Sequence, residues 1–492
     1  MRRLGLLLAL GSVVLMAACG SSNSGSVTSV TVSCSPTTVS SGGTSQCSAT
    51  VNGTGSFNSA VNWSTSAGSI STSGTLTAPT VTATVSVTVT AASVQNSGIT
   101  GSASVTVNPG SSNNNVQPIT VDAGPEPNTF LATNIAYTTV TVCLPGSTTQ
   151  CQSIDHVQVD TGSSGLRLLQ GVLTINLPQE SNSNNSPLDE CLVFLDGFVW
   201  GPVATADVTM AGEKAGSVPV QIIIPSTSNP PVPSTCSSQT TGGNEGNSVE
   251  DLGANGLIGV GLFQQDCGPG CTSQNQNGPP AVYYGCPASG CNPTFISEQQ
   301  QLTNPVALFP GDNNGVLIQL PSVPDGGSPT VSGSLIFGIG TQSNNGLNGA
   351  TVYAVPDSGS NAGNITTTFN GTSYPDSFID SGSNGLFFLN SSVPGVPATC
   401  TGQLNDWYCP SPSPDNLSAG NQGDNMSAPV TVNFSIENAS QLFSGDNVAF
   451  STLGGPNPNS FDWGLSFFYG RKVFTAIENM STPGGQGPYF AY

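Results

Sequence analysis

Histidine is nearly absent from this 492-residue sequence, which contains only His156. Serine and cysteine nucleophiles usually need a histidine base beside them, and the segment SIDHVQVD around His156 carries no nucleophile signature. We therefore expect His156 to be a solvated residue at a strand end. A metal site built on several histidines is excluded by the count alone.

Basic residues are also scarce, with six Lys and Arg against 27 Asp and Glu. Two of the six lie in the N-terminal targeting segment described below, which leaves Arg167, Lys214, Arg471 and Lys472. A chain this acidic repels nucleic acid and has few positively charged side chains to bind phosphate. We therefore expect no nucleic-acid partner. Any acid–base catalysis must depend on carboxylates. Because carboxylates lose charge as they are protonated, we also expect the surface to tolerate acid.

Only one segment is both apolar and continuous, and it is short. Leu4–Met16 follows two arginines and leads to Met16-Ala17-Ala18-Cys19. It is too short to span a bilayer and predicts a signal peptide over residues 1–19. Small residues before Cys19 resemble the bacterial lipobox, so we expect Cys19 to be acylated and to hold the protein on a lipid membrane. Gly20 favours the outer membrane, facing the periplasm or the exterior; the alternative is an ordinary secretory signal.

Long helical periodicities are missing too. The 60 glycines and 37 prolines separate short runs of Val, Ile and Thr, a composition that predicts an all-β protein with many turns. The best helix candidate is the short segment Phe295–Leu302. Low-complexity disorder is the alternative interpretation, but a hydrophobic content of 36% arranged in alternating runs confines it to linkers.

The chain is too long for one core, and its composition changes along its length. Residues 20–26 predict a polar tether, residues 27–108 a first domain, residues 109–116 a linker, and residues 117–492 a large β-rich domain. In the first domain, Val81–Thr90 alternates apolar and polar residues, and Ala103–Val107 predicts the last strand. Trp63 is a candidate core residue.

This first domain resembles bacterial immunoglobulin-like modules. The resemblance lies in the opening SVTVSCSPTTVSSGGTSQCSATV, Ser29 to Val51, and in the closing Val-Thr strands. It implies a β-sandwich that acts as a spacer or an adhesive unit. No residue pattern in the domain suggests catalytic chemistry.

Thirteen cysteines are present, and twelve remain once Cys19 is set aside. An even number in an exported chain predicts disulfide bonds. Short loops favour the pairs Cys34–Cys47, Cys143–Cys151, Cys267–Cys271, Cys286–Cys291 and Cys400–Cys409, which leaves Cys191–Cys236. A zinc site at Cys267 and Cys271 is the alternative, but export and the distant histidine argue against it, and we expect no metal and no cofactor.

Two similar segments carry the strongest chemical signal. VQVDTGSSGLRLL places Asp160 at the end of an apolar strand, and SFIDSGSNGLFFL does the same for Asp380. The small residues after each acid allow a tight turn whose N–H and hydroxyl groups reach the carboxylate. Two such turns face to face would bring the carboxylates together to share one proton. Asp357-Ser358-Gly359 has the same tripeptide without apolar flanks, and we expect it in a loop.

The pair resembles pepsin-like aspartic proteases, whose two lobes each carry an apolar-apolar-Asp-Thr/Ser-Gly motif. Asn255–Phe263 resembles the segment that threads behind the first catalytic loop, and Gly333–Gln342 resembles the strand between the lobes. Trp463–Ile477 resembles the last such segment, with Asp462 where the family has an apolar residue. The resemblance implies a bilobal β-barrel fold with a lobe boundary near residues 325–350.

The resemblance also implies roles for individual residues. Asp160 and Asp380 match the catalytic dyad. The supporting positions are Thr161 and Ser381, which cross-link the loops, Gly162 and Gly382 in the turns, and Ser163 and Ser383 beside the outer carboxylate oxygens. A flap hairpin is expected over Phe198–Gly212, with Trp200-Gly201 in place of the family's Tyr-Gly; alternatively, Trp200 is a core aromatic.

These features predict a monomeric, lipid-anchored aspartic endopeptidase that acts at acidic pH on peptide or protein substrates. The first alternative is a pepsin-fold binding protein without activity, suggested by the unusual flap. The second is a structural or adhesive envelope protein, suggested by the N-terminal domain. A glycosidase could also use two carboxylates, but nothing in the motifs favours sugar over peptide.

Overall fold

The computed structural model describes residues 25–40, 42–79, 81, 84–108, 115–194, 197–225, 227–240, 244–275 and 277–492. Contacts divide the chain into two units, Met1–Ser112 and Asn113–Tyr492. The predicted signal peptide and Cys19 lie outside the described residues, as does most of the predicted linker. Among the described residues, no helix has the length and apolar character needed to cross a membrane.

The first unit contains eight described strands in two four-stranded sheets. The strands are β1 Ser26–Ser35, β2 Thr38–Ser40, β3 Thr44–Thr54, β4 Val61–Thr65, β5 Ser69–Ile70, β6 Thr75–Thr77, β7 Val85–Ser93 and β8 Thr100–Asn108. The sheet orders are β1-β3-β6-β5 and β2-β8-β7-β4. Alternate residues of β7 and β8 point inward, so Val87, Val89, Val105 and Val107 bury their side chains in one core.

The predicted strands of this unit are present with shifted ends. The predicted strand at Val81–Thr90 is β7, which spans Val85–Ser93, and β8 includes Ala103–Val107. Trp63 is half-buried and packs against the outside of this core, so it is only partly the core residue that the sequence predicts. The likeness to immunoglobulin-like modules stays a prediction.

The second unit is built almost entirely from strands. They are β9 Val116–Val121, β10 Ala136–Cys143, β11 Cys151–Asp160, β12 Ser164–Leu169, β13 Leu188–Val193, β14 Phe198–Met210, β15 Glu213–Ile223, β16 Gly256–Val260, β17 Tyr283–Gly285, β18 Asn292–Pro293, β19 Gly315–Gln319, β20 Val331–Phe337, β21 Val352–Ala354, β22 Ile365–Phe369, β23 Thr372–Ile379, β24 Leu386–Leu389, β25 Asp415–Gln422, β26 Val430–Ile436, β27 Gly454–Gly455, β28 Asn457–Trp463, β29 Lys472–Ala476, β30 Ser481–Thr482, β31 Gly485–Gln486 and β32 Tyr489–Ala491. The prediction of an all-β protein is confirmed.

Two large sheets hold all of these strands except β30 and β31, which pair with each other. The fifteen-stranded sheet has the order β18-β17-β13-β14-β15-β12-β16-β11-β10-β9-β20-β19-β29-β32-β21, and the seven-stranded sheet has the order β26-β25-β22-β23-β28-β24-β27. Both sheets contribute to one hydrophobic core, in which Val159 and Ile258 come from the larger sheet and Ile379 and Trp463 from the smaller. Burial of these side chains stabilises the unit and brings the two sheets together.

Helices in the described residues are single turns. The α-helices are α1 Ser234–Ser237, α2 Val249–Leu252, α3 Ala439–Leu442 and α4 Leu465–Phe468; the 3-10 helices are Gln170–Val172, Gly268–Cys271, Glu298–Gln300, Pro305–Leu308 and Gly402–Leu404. The predicted helix over Phe295–Leu302 is therefore reduced to a three-residue 3-10 turn, Glu298–Gln300. Its flanking residues are held in extended conformation instead.

The structure forms six disulfide bonds, at the five pairs favoured by short loops and at the remaining pair, Cys191–Cys236. They are Cys34–Cys47, Cys143–Cys151, Cys191–Cys236, Cys267–Cys271, Cys286–Cys291 and Cys400–Cys409. The pairing of Cys267 with Cys271 removes both thiolates from the alternative zinc site. No cluster of metal-binding side chains occurs within the described ranges.

His156 differs from the prediction of a solvated strand-end residue. It lies inside β11, where the pairing with β10 is irregular, and its backbone has a positive φ of 48°. The imidazole is 24% exposed and lies 3.4 Å from Asp122 and 3.2 Å from Asp155. The Tyr137 ring packs against its edge. These neighbours explain a half-buried position without a catalytic role.

Candidate active site

The first acidic turn lies between two strands and a third that threads behind it. Asp160 ends β11, and β12 begins at Ser164 after a turn of three residues. Strand β16 runs parallel to β11 and antiparallel to β12, so it fills the space between the two arms of the turn. Asp160 pairs with Gly259 in this register, and Gly259 also faces Gly165 across β12. The threaded strand fixes the direction in which the Asp160 carboxylate points.

The second acidic turn repeats this arrangement. Strand β23 ends at Ile379, Asp380 follows it, and β24 begins at Leu386. Strand β28 is parallel to β23 and antiparallel to β24, and the chain leaves it at Gly464. Strands β16 and β28 therefore occupy equivalent places behind the two turns. Of the predicted segment Trp463–Ile477, only its first residues lie there, and the rest forms α4 and β29.

Glycine is required where each threaded strand passes behind its turn. A Cβ atom on Gly259 would lie 2.5 Å from the Ser164 nitrogen and 2.6 Å from the Ser163 carbonyl carbon. A Cβ on Gly464 would overlap the carbonyl oxygen of Gly385. Both contacts are with backbone atoms, so relief would require the catalytic turn itself to move.

We expect Gly259→Ala to destabilise the second unit by about 3 kcal/mol, since overpacking against backbone costs at the upper end of the usual range. Gly171→Ala is the matched control, because a Cβ on Gly171 has no neighbour within 4 Å. Chemical denaturation followed by tryptophan fluorescence measures both variants. Equal stability of Gly259→Ala and Gly171→Ala would contradict the close approach of β16 to the turn.

Hydrogen bonds cross-link the two turns to each other. The Thr161 N–H donates to the Ser381 hydroxyl oxygen at 3.1 Å, and the Ser381 N–H donates to the Thr161 hydroxyl oxygen at 2.9 Å. The Ser381 hydroxyl donates in turn to the Val159 carbonyl at 2.8 Å. The Gln158 amide donates to the Gly382 carbonyl at 2.7 Å. Thr161 and Ser381 are buried, so these bonds are shielded from water and hold the turns in register.

The carboxyl groups of Asp160 and Asp380 lie side by side, since a Cβ on Gly382 would be 2.5 Å from Asp160 Oδ1 and 3.1 Å from Asp380 Oδ1. The Gly162 N–H donates to Asp160 Oδ1 and the Gly382 N–H to Asp380 Oδ1, each at 2.7 Å. A Cβ on Gly162 would lie 2.7 Å from the Asp380 carboxyl carbon, so the turn approaches the opposite acid closely. Burial and the neighbouring charges of Asp160 and Asp462 raise the pKa of Asp380 well above its usual range. Two acids this close share one proton.

Serine hydroxyls complete the outer side of the pair. Ser163 donates to Asp160 Oδ2, and Ser383 donates to Asp380 Oδ2 at 3.2 Å. Gly162 is exposed, and Ser163, Asp380 and Ser383 are half-buried, so this side of the pair is open to solvent. A ligand or a water molecule can therefore reach the carboxyl groups from this side. The control tripeptide Asp357-Ser358-Gly359 lies in an exposed bend, as expected for a loop.

Asp462 is a third acid of this centre, and the sequence does not single it out as functional. It lies on β28, its side chain is 1% exposed, and it acts electrostatically on both Asp160 and Asp380. Burial raises its pKa to about 8, although its hydrogen bond with Ser383 acts in the opposite direction. The sequence did offer one signal for Asp462, since an acid stands there at a position where the resemblance to pepsin-like proteases expects an apolar residue.

A buried ion cluster lies behind the first turn, and it too is not apparent from the sequence. Arg167 Nη2 lies 2.6 Å from Glu190 Oε1 and 3.1 Å from Asp266 Oδ2, and all three side chains are at most 3% exposed. Arg167 Nη1 donates to the Ser164 carbonyl at 2.8 Å, which ties the cluster to the catalytic turn. The Tyr283 hydroxyl donates to Asp266 at 2.8 Å. The available signal was one arginine within the apolar stretch GLRLL.

The predicted flap is corrected by the structure. Phe198–Met210 is one long strand, β14, followed by the turn Ala211-Gly212 toward β15, and Trp200 lies near the start of the strand. Trp200 is 1% exposed, packs against the Tyr284 ring and donates its indole N–H to the Pro230 carbonyl at 3.2 Å. Trp200 is thus a core aromatic, because its polar atom is satisfied inside the protein. Gly201 pairs with Glu190 of β13.

Asp189 shows how burial couples stability to pH in this protein. Its carboxyl is fully buried, neither oxygen has a hydrogen-bond partner, and burial raises its pKa to about 7. An unfolded aspartate titrates near 3.9. The folded state therefore keeps the proton that the unfolded state releases, and stability present below about pH 4 is lost as the pH rises to about 7.

We expect Asp189→Asn to flatten this dependence, because the amide is neutral at every pH. The difference in unfolding free energy between pH 4 and pH 7 should shrink by on the order of 4 kcal/mol, from about 1.36 kcal/mol per unit of pKa shift. Denaturant titrations of both proteins at the two pH values measure it. An unchanged difference would show that Asp189 is already ionised in the folded protein.

Comparisons with known proteins add a family and one similar structure. The crystal structure of aspartic proteinase from Irpex lacteus is 13% identical over 76% of this chain and 96% of that chain, with a TM-score of 0.42. A search of the curated proteins finds no match. The family described as "Protein of unknown function (DUF3443)" matches residues 111–492. Since this match covers most of the sequence, the chain belongs to that family.

Proposed function

We propose that residues 117–492 form a bilobal pepsin-like aspartic endopeptidase. The observation that carries the proposal is the pair of cross-linked turns that holds Asp160 and Asp380 side by side. Each turn belongs to a separate sheet, and each has its own threaded strand. The twin arrangement supports two lobes with one acid from each, as the motif resemblance implies.

The surroundings of the two acids support different roles for them. Both accept hydrogen bonds from a turn N–H and a serine hydroxyl, but Asp380 also lies beside the buried carboxyl of Asp462. Asp380 has the raised pKa and therefore carries the shared proton. A water molecule bound between them would lose its proton to Asp160 as it attacks the peptide carbonyl. Asp380 would give its proton to the carbonyl oxygen, forming a tetrahedral intermediate with two hydroxyls. Asp160 would then pass its proton to the amide nitrogen as the C–N bond breaks, and one hydroxyl proton would return to Asp380, which leaves a carboxylic acid and an amine.

A binding protein on the same scaffold is the second candidate. The observation that favours it is the position of Trp200, which packs in the core and cannot cover a bound peptide from the predicted flap. Both acids and all their hydrogen-bond donors are nevertheless present, which supports the enzyme.

We propose the cellular location of the domain from the sequence. Acylation of Cys19 would anchor the protein to the outer membrane as a monomer, and residues 27–108 would separate the catalytic domain from the lipid surface. Six disulfide bonds support an oxidising compartment outside the cytoplasm. Peptides or unfolded proteins are the proposed substrates.

The test is digestion of a denatured protein by the chain from residue 20 onward, between about pH 3 and 7, a range that spans carboxylate titration. We expect new peptides at acidic pH, identified by mass spectrometry. Circular dichroism at each pH establishes that the enzyme is folded. A folded protein that releases no peptide at any pH would overturn the proposal in favour of the binding protein.

A further inference from the structure

The two halves of the site differ at the seventh residue after each acid. This residue is Arg167 on β12 in the first half and Phe387 on β24 in the second. Phe387 is half-buried and packs against the Trp407 ring, whereas the charged side chain of Arg167 is 0% exposed. The first half therefore places a buried cation where the second half has an aromatic ring.

The Arg167 guanidinium holds the outgoing side of the first turn. Its Nη1 atom donates to the Ser164 carbonyl at 2.8 Å, and the Ser164 hydroxyl donates to the Phe263 carbonyl at 2.6 Å. Ser164 is therefore fixed on two sides. The preceding residue, Ser163, donates its hydroxyl hydrogen to Asp160 Oδ2. The position of Ser164 thus sets the position of a hydrogen-bond donor on which Asp160 depends.

Three segments hold the guanidinium itself in place. Its Nη2 atom lies 2.6 Å from Glu190 Oε1 on β13 and 3.1 Å from Asp266 Oδ2 in the loop after β16. The Tyr283 hydroxyl, on β17, donates to Asp266 at 2.8 Å and accepts the Leu302 N–H at 2.7 Å. Hydrogen bonds to charged groups are stronger than those between neutral groups, and burial keeps water from competing for them. The cluster can therefore hold Ser164 more rigidly than a neutral side chain could.

Stability alone gives little reason for charges at this place. Arg167 Nε and Glu190 Oε2 are buried without a hydrogen-bond partner, so the cluster leaves part of its desolvation cost uncompensated. Apolar side chains of the same volume would stabilise the fold as well or better. What they could not supply is a fixed donor for the Ser164 carbonyl.

We propose that Arg167 is a positioning residue of the catalytic centre: it binds the Ser164 carbonyl and thereby keeps the Ser163 hydroxyl on Asp160 while water attacks the peptide. This inference rests on the proposed function. Arg167 is buried and cannot touch a bound peptide, so its loss should slow the chemical step and leave peptide binding unchanged. Misplacement of a catalytic group by about 1 Å can lower a rate by about a hundredfold.

The first experiment separates this role from stability. The triple variant Arg167→Met, Glu190→Gln, Asp266→Asn has no charge left in the cluster, so it should recover much of the stability that Arg167→Met loses. Methionine cannot donate to the Ser164 carbonyl. We expect kcat of the triple variant to be at least about tenfold lower than that of the unmodified enzyme, with KM within about twofold.

A purely structural role predicts that kcat recovers together with stability. A triple variant whose stability is restored and whose kcat is within about twofold of the unmodified enzyme would overturn the inference. Arg167→Lys is a second variant, which keeps a cation beside the two acids. Its single ammonium cannot take the places of both Nη atoms, so we expect a similar loss of kcat, and full kcat would overturn the inference. Lys214→Met, at a partly exposed ion pair, is the control and should keep its kcat.

The second experiment does not depend on activity. Hydrogen exchange measured by mass spectrometry compares residues 157–169, which contain the first turn, with residues 377–389, which contain the second. In the triple variant we expect the first segment to exchange at least about tenfold faster and the second to change less, because only the first turn loses a support. Equal changes in the two segments, or no change in either, would overturn the inference. Faster exchange of the first segment, in a protein whose unmodified form cleaves no peptide, would support the holding role and overturn the proposed function.

Discussion

Asp160→Asn and Asp380→Asn should each lower kcat/KM for peptide cleavage by at least about a thousandfold at every pH, since each removes one partner of a general acid–base pair. The amide oxygen of Asn can still accept the N–H of Gly162 or Gly382, so the turns should keep their shape. It cannot, however, take a proton from water or pass one to a carbonyl oxygen. The loss should therefore appear in catalysis and not in folding.

Asp357→Asn is the matched control for this experiment. Asp357 begins the same Asp-Ser-Gly tripeptide as Asp380, but it lies in an exposed bend. We expect it to keep full activity. Initial rates on a labelled protein substrate, together with thermal unfolding of each variant, separate lost chemistry from lost structure. Full activity in either dyad variant would remove that acid from the mechanism.

Arg167→Met should lower the free energy of unfolding at pH 7 by about 3 to 5 kcal/mol, the usual cost of breaking a buried ion pair. The substitution keeps much of the side-chain volume but leaves Glu190 and Asp266 buried without their cation. Burial and the Glu190 charge raise the pKa of Asp266 well above its usual range. The cost should therefore shrink at pH 4, where protonation relieves the repulsion.

Lys214→Met provides the comparison at a partly exposed ion pair. Lys214 Nζ lies 2.7 Å from Asp207 Oδ2, but the lysine side chain is 43% exposed. Its loss should cost less than about 1 kcal/mol. In Arg167→Met, adding Glu190→Gln and Asp266→Asn should restore much of the stability, because no buried charge then remains. Urea denaturation at both pH values measures all of these proteins, and similar losses for Arg167→Met and Lys214→Met would show that the buried cluster is not a stabilising unit.

The chemistry of the twin turns could be predicted because it is local. An apolar strand, an acid and three small residues specify a strand end and a tight turn, whatever surrounds them. The segment Asn255–Phe263 could be placed behind the first turn because its glycine must approach backbone atoms. Five disulfide pairs could be predicted because short loops bring their cysteines together, and Cys191–Cys236 was the pair that remained.

The residues that the sequence did not reveal depend on distant contacts. Asp462 lies 82 positions from Asp380, and only the packing of β28 between β23 and β24 brings it to the centre. The ion-pair partners of Arg167 are Glu190 on β13 and Asp266 in the loop after β16. The local Trp-Gly pattern could not decide between a flap residue and a core aromatic at Trp200, because the disulfide-linked aromatic cluster that buries it comes from distant segments. Alternation predicts which face of a strand is buried and does not predict what lies against that face.

The bonds between Thr161 and Ser381 join residues 220 positions apart. A nascent chain that has emerged as far as the first turn carries one carboxylate with no partner, and such distant contacts form late in folding. Strand β32, at the far end of the sequence, must also insert between β29 and β21. Under the proposed function, the acid pair therefore exists only in a chain folded through both turns, and a fragment that ends before Asp380 should cleave no peptide.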